Sequence, residues 1–309
     1  MRILFLGTPA FAVPSLEALL RGPDEVVGVV SQPDRPRGRG LKPEPPPVVA
    51  LARAAGVRFF QPVKLHAAGS LAELEALRPD LVVTAAFGRL LRRPLLELPV
   101  HGCLNVHASL LPRHRGAAPV TRAILDGDAW TGVTIFRLDE GLDTGPILLQ
   151  RVERIRTDET TGSLTGRLAD LGGVALREAC DLIRSGRARY LPQPEELATY
   201  APLLEKEDGR CDFCRPADQC ERFVRAMTPW PGATATVRGE PLRILALEPV
   251  DLIDSGRPAA EVVMLDPYPI VATRPGRVRL MRVQAPGRRE MDASDWARGF
   301  RLSPGEQFG

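Results

Sequence analysis

The stretch RILFLGTPAFAVPSLEALLRG, residues 2–22, decides the fold class. A short apolar run at residues 3–6 is followed by a Gly-Thr-Pro turn and then by a helical pattern at residues 14–20. Proline at the start of that pattern and Gly22 just past its end are typical of helix termini. The order strand, turn, helix therefore begins an α/β fold.

Short apolar runs and helical patterns continue to alternate through the first half of the chain. This alternation is typical of a mostly parallel sheet whose faces are covered by helices. The longest helical pattern covers residues 161–184 and includes two adjacent glycines, which lower helix propensity. We therefore predict an α/β sheet whose further strands are residues 25–30, 57–60, 80–85 and 102–107.

The pattern changes after Gly186. Residues 190–204 carry three prolines and little periodicity, so we predict a linker there between a first domain at residues 1–189 and a second at 205–309. The second domain contains a helical pattern at residues 216–227 and five short strand candidates joined by Gly, Pro and Asp turns. Five such strands predict a small OB-like β-barrel. They are residues 233–237, 242–247, 262–265, 270–273 and 278–283.

The composition is that of an ordinary globular protein. Lys and Arg number 41 against 38 Asp and Glu, which gives a net charge of +3, and 44% of the residues are apolar. The longest uninterrupted apolar run, residues 48–52, is far shorter than the roughly 20 residues that a bilayer span needs. Because Gly7, Pro9 and Pro14 interrupt the apolar start where a signal peptide would continue, we expect a cytoplasmic protein.

The five cysteines do not indicate a disulfide framework, since their number is odd and they are scattered over a long chain. Cys211 and Cys214 are spaced as C-x-x-C, and Cys220 lies nearby, which resembles part of a zinc site. No fourth ligand stands at a usable spacing. We therefore expect reduced thiols and no metal.

Two basic elements favour contact with a polyanion, although a solvated face and a mobile surface loop are the alternatives. No acidic residue lies between Asp266 and Glu290, whereas six arginines do. Arg277 and Arg279 would share one side of a strand and form a basic stripe. The other element is the basic loop, residues 33–47, which is long, proline-rich and without predicted secondary structure. Its basic residues are Arg35, Arg37, Arg39 and Lys42.

The turn after the first strand lacks the glycines of a dinucleotide-binding fingerprint. Pro9 and Ala12 stand where the second and third glycines of G-x-G-x-x-G would be, and Pro9 prevents close approach of the backbone to a pyrophosphate. The sequence also lacks a P-loop motif and a G-x-S-x-G nucleophile elbow. We therefore do not predict NAD binding.

Asn105 and His107 stand at the end of the strand candidate at residues 102–107. Residues two apart on a strand point the same way, so the amide and the imidazole face one space. An amide can donate a hydrogen bond to a developing oxyanion, and an imidazole can donate or move a proton near neutral pH. The pair suits acyl transfer, with a purely structural role at a strand end as the alternative.

Asp143 is the carboxylate that would complete this group. Residues 131–138 predict a strand that leads into the sequence GLDTG, whose glycines on both sides of Asp143 indicate a tightly shaped loop. A predicted helix at residues 117–125 and that strand give enough chain to return Asp143 to His107. An acidic surface turn is the alternative.

Together these motifs resemble the methionyl-tRNA formyltransferase family. The motif LNVH at residues 104–107, the motif SLLP at 109–112 and the motif GLDTG at 141–145 alone indicate the wider formyltetrahydrofolate-using superfamily. Matches over nearly the whole chain indicate the narrower family. They include GTP at residues 7–9, the segment from Gln32 to Gly40, FQP at 60–62, AFG at 86–88, RGAAP at 115–119, YAP at 200–202, KE at 206–207 and PWP at 229–231.

The resemblance implies a Rossmann-like domain followed by an OB-like barrel. It implies transfer of a formyl group from 10-formyltetrahydrofolate to the α-amino group of methionine on initiator tRNA, without a metal. Carried over to matching positions, Asn105, His107 and Asp143 are catalytic. The residues that would lie against the folate are Ser109, Leu110, Leu111 and Pro112, and those near its pterin are Phe87, Gly88, Gly141 and Leu142.

The resemblance also assigns the acceptor end of the tRNA to the basic loop, with Arg39 as the strongest candidate, and further phosphates to Arg277 and Arg279. Phe87 stands where we associate the family with tyrosine, and phenylalanine lacks the hydroxyl that a polar folate contact would use. We expect a monomer that makes no contact with a membrane.

Two other interpretations stay open at this point. Another formyltetrahydrofolate enzyme would use the same three polar residues on a small amine, such as a glycinamide ribotide or an amino-sugar nucleotide, and would not need the two basic elements. A non-catalytic RNA-binding protein would need the arginines but not the polar cluster. Formylation of charged tRNA against small amines discriminates between the enzymes, and absence of folate binding would favour the non-catalytic protein.

Overall fold

A computed structural model describes residues 1–37, 42–253 and 256–309, and these form two compact units. The segment at residues 190–201, within the predicted linker, packs with the first unit. None of the described helices combines the length and apolar character needed to cross a bilayer. The first unit comprises Met1–Pro119, Trp130–Arg154 and Thr165–Ala201, and the second comprises Val120–Ala129, Ile155–Leu164 and Pro202–Gly309.

Strands and helices alternate up to residue 201, as the apolar runs predict. The strands are β1 (Arg2–Gly7), β2 (Glu25–Val30), β3 (Arg35–Arg37), β4 (Lys42–Glu44), β5 (Phe59–Phe60), β6 (Leu81–Ala85), β7 (Cys103–His107), β8 (Arg115–Gly116), β9 (Trp130–Arg137), β10 (Ile147–Arg154) and β11 (Tyr200–Ala201). The helices are α1 (Val13–Leu20), α2 (Pro47–Ala54), α3 (Ala68–Glu75), α4 (Arg93–Leu96), α5 (Pro119–Leu125) and α6 (Thr161–Arg184).

A seven-stranded sheet with the order β10-β9-β7-β6-β1-β2-β5 forms the centre of the first unit. Five of these strands, β7, β6, β1, β2 and β5 in spatial order, are parallel to their neighbours. β9 runs antiparallel to β7, and β10 runs antiparallel to β9. The prediction of a mostly parallel α/β sheet is confirmed. Because β1, β6 and β7 are parallel, their carboxyl ends meet at one edge of the sheet, where such folds bind ligands.

Burial explains why the first apolar run forms the middle of this sheet. Ile3 and Leu6, with the two residues between them, are fully buried. At Gly7 the chain turns toward α1, and a Cβ there would lie 2.8 Å from the Cβ of Ala12 and 3.1 Å from the carbonyl oxygen of Ala85. Glycine therefore lets the turn close against the end of β6.

The basic loop contains two short strands, β3 and β4, where a loop without secondary structure was expected. β3 and β4 pair antiparallel, with Pro36 opposite Pro43, so the prediction of a loop without strands is wrong. Proline has no N–H to donate to a neighbouring strand, but it fits a position whose N–H would face away from that strand. Two prolines that lie opposite each other can both occupy such positions. α2 begins at Pro47, directly after this ribbon.

The second unit contains an antiparallel sheet with the order β12-β13-β16-β15-β14, and β17 pairs with β16. Bridges join Val237 to Phe308 and Glu261 to Gln307, so the C-terminal segment connects the two edges of the sheet and closes a small barrel. The predicted barrel is confirmed. Its elements are α7 (Ala217–Ala226), β12 (Ala233–Val237), β13 (Glu240–Asp251), β14 (Val262–Leu265), β15 (Pro269–Ala272), β16 (Arg277–Gln284), β17 (Met291–Asp292) and α8 (Ala293–Phe300).

Candidate functional site

Asn105 lies near the end of β7, beside Thr84 on β6. The hydroxyl of Thr84 donates to Oδ1 of Asn105 at 2.6 Å. Thr84 is buried and Asn105 only half-buried. Because this bond occupies the amide oxygen, the amide nitrogen is turned away from Thr84 with its hydrogens available to a ligand. A lone threonine in the apolar run of residues 81–85 is the sequence signal for this partner, which the prediction did not include.

His107 closes β7 and is buried. Its Nε2 lies 3.0 Å from the carbonyl oxygen of His114, and the ring of Phe136 meets the imidazole edge to face at a centroid distance of 6.3 Å. A carbonyl oxygen only accepts, so Nε2 carries the hydrogen of that bond. The other ring nitrogen, Nδ1, is left to exchange a proton with the groups that face it.

Asp143 lies next to His107 in the structure, as expected from the elements between them. Its Oδ2 lies 3.7 Å from Nδ1 of His107 and accepts a hydrogen bond of 2.8 Å from the backbone N–H of Gly116. The side chain of Asp143 is 14% exposed. The structure therefore brings the carboxylate and the imidazole together at the carboxyl end of β7, on the strand that also carries Asn105.

The loop that presents Asp143 is shaped by its own hydrogen bonds. Oδ1 of Asp139 accepts from the N–H of Gly141 at 3.0 Å and from the hydroxyl of Thr144 at 2.7 Å. A Cβ at Gly145 would lie 1.8 Å from the carbonyl oxygen of Arg137, so this position requires glycine. Asp143 itself has a φ of 55°, in the left-handed region. Leu142 is half exposed at the tip of this loop.

The segment of residues 109–112 is held rigidly next to His107. The hydroxyl of Ser109 donates to the carbonyl oxygen of Arg113 at 2.7 Å, and the N–H of Leu111 donates to Oγ1 of Thr134 at 3.1 Å. Thr134 in turn donates to the carbonyl oxygen of Ser109 at 2.7 Å. The Leu111-Pro112 peptide is cis. Since these polar groups are already bonded to Arg113 and Thr134, the segment has the half-buried side chain of Leu110 and the backbone around it left to contact a ligand.

A cavity of about 540 Å³ opens at the carboxyl ends of β1, β2 and β6. Nε2 of Gln32 donates to the carbonyl oxygen of Phe87 at 3.1 Å, which fixes one wall, while the Phe87 side chain is buried in the hydrophobic core. Phe87 and Gly88 therefore line this cavity, whereas Gly141, Leu142 and residues 109–112 are not among its described lining residues. The lining includes Thr8, Pro9, Gln32, Pro46, Phe87 and Gly88.

The two predicted basic residues of the barrel are both paired with carboxylates. Arg277 forms an ion pair with Asp251, and Nη1 of Arg279 lies 2.9 Å from Glu248. Hydrogen bonding to Asp251 raises the pKa of Arg277, so its charge is permanent. In the basic loop, Arg35 and Arg37 lie on β3 and Lys42 on β4, whereas Arg39 lies outside the described residues.

The cysteines of the second unit do not assemble into a metal site within the part of the chain that the structure describes, since no group of three candidate ligands is found there. Cys211 and Cys220 are buried and Cys214 is exposed. Burial raises the pKa of Cys220 to about 12, with a further contribution from the charge of Asp212. Burial raises the pKa of Cys211 as well, so the thiols of Cys211 and Cys220 stay protonated near neutral pH.

Comparison with known proteins finds a matching family model for each half of the chain. Residues 1–180 match the formyl transferase family model and residues 203–301 match the model of the formyl transferase C-terminal domain. The methionyl-tRNA formyltransferase of Magnetococcus marinus is 45% identical over the whole of this chain and 98% of its own length. That of Myxococcus xanthus is 47% identical over 99% of this chain and 97% of its own length.

A solved structure of low sequence identity shares the fold. The N-formyltransferase from Helicobacter canadensis, in complex with folinic acid and dTDP-3-aminofucose, is 16% identical to this chain and superimposes with a TM-score of 0.68. The alignment covers 91% of this chain and 98% of that protein. At this identity the likeness concerns the fold alone.

Proposed function

The chain belongs to the methionyl-tRNA formyltransferase family, and we propose how its residues perform formyl transfer from 10-formyltetrahydrofolate to the α-amino group of methionine on initiator tRNA. The observation that carries the proposal is the convergence at one strand end of Asn105, His107 and Asp143, with Asp143 3.7 Å from His107. An amide donor, an imidazole and a carboxylate are the groups that acyl transfer to an amine needs.

The methionyl amine attacks as a free base, so a proton must leave its nitrogen while the folate nitrogen that releases the formyl group must gain one. We assign acceptance of the first proton to Asp143 and its partner Nδ1 of His107, and the same pair returns that proton to the folate nitrogen when its bond to the formyl carbon breaks. Because Nε2 of His107 already bonds to the carbonyl oxygen of His114 at 3.0 Å, relay through Nδ1 is favoured over donation to the oxyanion. The oxyanion is left to the amide nitrogen of Asn105, whose oxygen is held by Thr84.

The folate site would extend from the 109–112 segment to the cavity bordered by Phe87 and Gly88. The rigid backbone of residues 109–112 supports a role in holding the flat ring system, and the buried Phe87 supports an apolar wall in place of a hydroxyl contact. Gly141 and Leu142, on the loop of Asp143, would contact the pterin from the other side. No metal enters this mechanism.

The tRNA would bind through positive charge remote from the reacting atoms. We propose that Arg35, Arg37, Arg39 and Lys42 of the basic loop reach the acceptor end, and that the barrel adds phosphate contacts at Arg277 and Arg279. The ion pairs of Arg277 and Arg279 with Asp251 and Glu248 favour an exchange of partners, in which a phosphate competes with each carboxylate. We further propose that the protein acts as a monomer in the cytoplasm.

Formylation of charged initiator tRNA, measured against formylation of glycinamide ribonucleotide and of an amino-sugar nucleotide, tests this function. We expect the tRNA to be formylated with a kcat/KM at least about 10³-fold above that of either small amine, because an enzyme with dedicated phosphate contacts uses them in the transition state. Preference for a small amine would support the alternative enzyme. A folded protein that binds no folate would support the non-catalytic one.

A further inference from the structure

The segment at residues 190–201 lies directly against the elements that hold Asp143. Leu191 forms a β-bridge with Ile147, and β11 pairs in parallel with β8. The same β8 contains Gly116, whose N–H donates to Oδ2 of Asp143 at 2.8 Å. A stretch whose prolines predict a linker is therefore part of the support of the candidate site.

Gln193 joins this segment to the loop of Asp143. Its Nε2 donates to the carbonyl oxygens of Asp143 at 2.8 Å and Gly145 at 2.7 Å. Its Oε1 accepts from Nε and Nη2 of Arg115 at 3.1 and 3.0 Å. Both hydrogens of the amide nitrogen and both acceptor positions of its oxygen are thus used, which leaves a single favourable orientation for the side chain.

Arg115 holds Gln193 from the other side. The guanidinium is fully buried, and Nη1 and Nη2 donate to the two carboxylate oxygens of Glu195, each at 2.9 Å. A paired arrangement of this kind fixes the plane of the guanidinium as well as its position. Glu195, Arg115 and Gln193 therefore form one continuous hydrogen-bonded clamp, which ends at the backbone on both sides of Thr144.

The clamp ends where the backbone needs external support. Asp143 has a φ of 55°, a conformation that a residue with a side chain holds only when its surroundings stabilise it. The carbonyl oxygens of Asp143 and Gly145 point at the same amide nitrogen. If those two hydrogen bonds are lost, the peptide groups can rotate, and the Asp143 carboxylate moves relative to His107.

We propose that Gln193 is a positioning residue for formyl transfer, which holds the Asp143 carboxylate facing Nδ1 of His107 through the clamp with Arg115 and Glu195. Gln193 bonds to the backbone of the loop and not to the reacting groups, so it acts through Asp143. The proposal rests on the proposed function, because it concerns the turnover of that reaction.

Gln193→Glu is the sharpest variant, because it keeps the size of the side chain and the acceptors for Arg115 but turns two donors into an oxygen that faces two carbonyl oxygens. We expect kcat to fall about 100-fold, with KM for both substrates changed by less than about threefold, as for a catalytic group displaced by roughly 1 Å. Hydrogen exchange of the backbone amides at residues 139–145 should become faster. Glu196→Gln, an exposed neighbour, is the control and should leave both readouts as in the wild type.

A double-mutant cycle separates positioning from a general structural role. Asp143→Asn removes the group through which Gln193 acts, so adding Gln193→Glu to Asp143→Asn should lower the residual kcat by less than about twofold. An equal loss in both backgrounds would overturn the proposal, and so would unchanged exchange of the backbone amides at residues 139–145. Gln193→Met, which lacks all four hydrogen-bonding positions, must give the same pattern with a folded protein.

The exchange measurement keeps the two proposals apart. If the wild-type protein does not formylate charged tRNA, the proposed function fails and the role of Gln193 in turnover fails with it. If the wild type is active and Gln193→Glu loosens the loop without lowering kcat, the function stands and the positioning role is overturned.

Discussion

The hydroxyl of Thr84 donates to Oδ1 of Asn105 at 2.6 Å across two adjacent parallel strands. This bond decides which end of the amide faces a ligand, since the oxygen is engaged and the nitrogen is directed elsewhere. An oxyanion is stabilised only by the nitrogen end. The orientation of Asn105 is therefore fixed by a side chain that need not touch the substrate.

Thr84→Val should lower kcat about 10- to 100-fold, in the range found when a residue that orients a functional group is removed. Valine has the shape of threonine, so the change removes the hydroxyl without opening space in the buried site. Steady-state formylation of charged tRNA measures the effect, and KM should change little. Thr84→Ser retains the hydroxyl and should keep most of the activity. Equal kcat values for Thr84→Val and the wild type would show that Asn105 needs no fixed orientation.

Asn105→Ala should lower kcat by about 10²- to 10³-fold, the usual loss for one donor to an oxyanion. The affinity for tRNA should stay near that of the wild type, because the proposed phosphate contacts lie elsewhere. Single-turnover formylation and a separate tRNA binding assay measure the two quantities. A variant that turns over normally would remove Asn105 from the chemistry, and one that only binds tRNA more weakly would reassign it to recognition.

The fold of the first unit could be predicted from the sequence because the central strands of its sheet, such as β1 and β6, are short and mostly apolar runs. β2 occupies the predicted residues, and α6 begins and ends where its helical pattern does. β10 was not predicted. Its sequence, ILLQRVER, contains several long polar side chains and no clear alternation of apolar and polar residues, because most of the strand is only partly buried. β3 and β4 were not predicted because a high proline content is usually a sign against strands. Prolines that lie opposite each other, as Pro36 and Pro43 do, nevertheless fit a two-stranded ribbon.

The candidate site likewise contains residues that could be predicted from the sequence and residues that could not. Asp143 could be predicted because flanking glycines mark a shaped loop, and the shape depends on bonds within residues 139–145. Gln193 could not, since its role depends on a buried arginine 78 residues away in the sequence and on two backbone carbonyl oxygens. Local patterns contain the elements and their polar ends, but not the hydrogen bonds between distant segments that orient those ends.

Glu248→Gln should strengthen tRNA binding severalfold at low salt, because it releases Arg279 from an ion pair of 2.9 Å. Arg279→Gln should weaken binding and reduce the slope of log Kd against log salt by about one. Both effects should shrink as salt rises, since they are electrostatic. Titrations of initiator tRNA at several salt concentrations measure them. If the two variants bind tRNA with the same affinity and the same salt slope as the wild type, Arg279 does not contact a phosphate.

Asp24→Asn should destabilise the first unit at neutral pH. The side chain of Asp24 is 4% exposed and accepts hydrogen bonds from Arg184 at 2.6 Å and from the N-terminal ammonium at 2.7 Å. Burial alone would raise the pKa of this carboxyl, but hydrogen bonds from Arg184 and the ammonium outweigh it and lower the pKa. Loss of hydrogen bonds to charged groups costs about 2 kcal/mol. Denaturant unfolding at pH 7 measures this loss.

The same carboxylate predicts the pH dependence of that difference. A carboxyl whose pKa is lowered on folding contributes its stability in full above the pKa of the unfolded chain, about 3.9, and loses it as the pH falls through the folded value. The gap between wild type and Asp24→Asn should therefore be constant from pH 7 to about 5 and narrow below about 4. Asp181→Asn removes an exposed partner of Arg184 and should cost less than about 1 kcal/mol. A gap that stays the same down to pH 3 would contradict the role of Asp24.

Alkylation of the native protein at pH 8 should modify Cys214 and leave the other four cysteines unmodified. Burial raises the pKa of Cys103 and of Cys180 to about 12, so the thiolate fraction of each at pH 8 is about one part in ten thousand. Cys211 and Cys220 are also buried, whereas Cys214 is exposed. Peptide mass spectrometry after brief iodoacetamide treatment identifies the labelled residue, with Cys214→Ser as the unlabelled control and a denatured sample as the fully labelled one.

Zinc provides the second arm of that experiment. Because no group of three candidate ligands occurs among the described residues, added Zn²⁺ should not slow the labelling of Cys214. Protection of Cys214 by micromolar zinc would mean that Cys211, Cys214 and Cys220 close around a metal, which requires the two buried thiols to lose their protons. Such protection would be accompanied by proton release on zinc addition, and loss of that proton release in Cys214→Ser would assign the binding to this cluster.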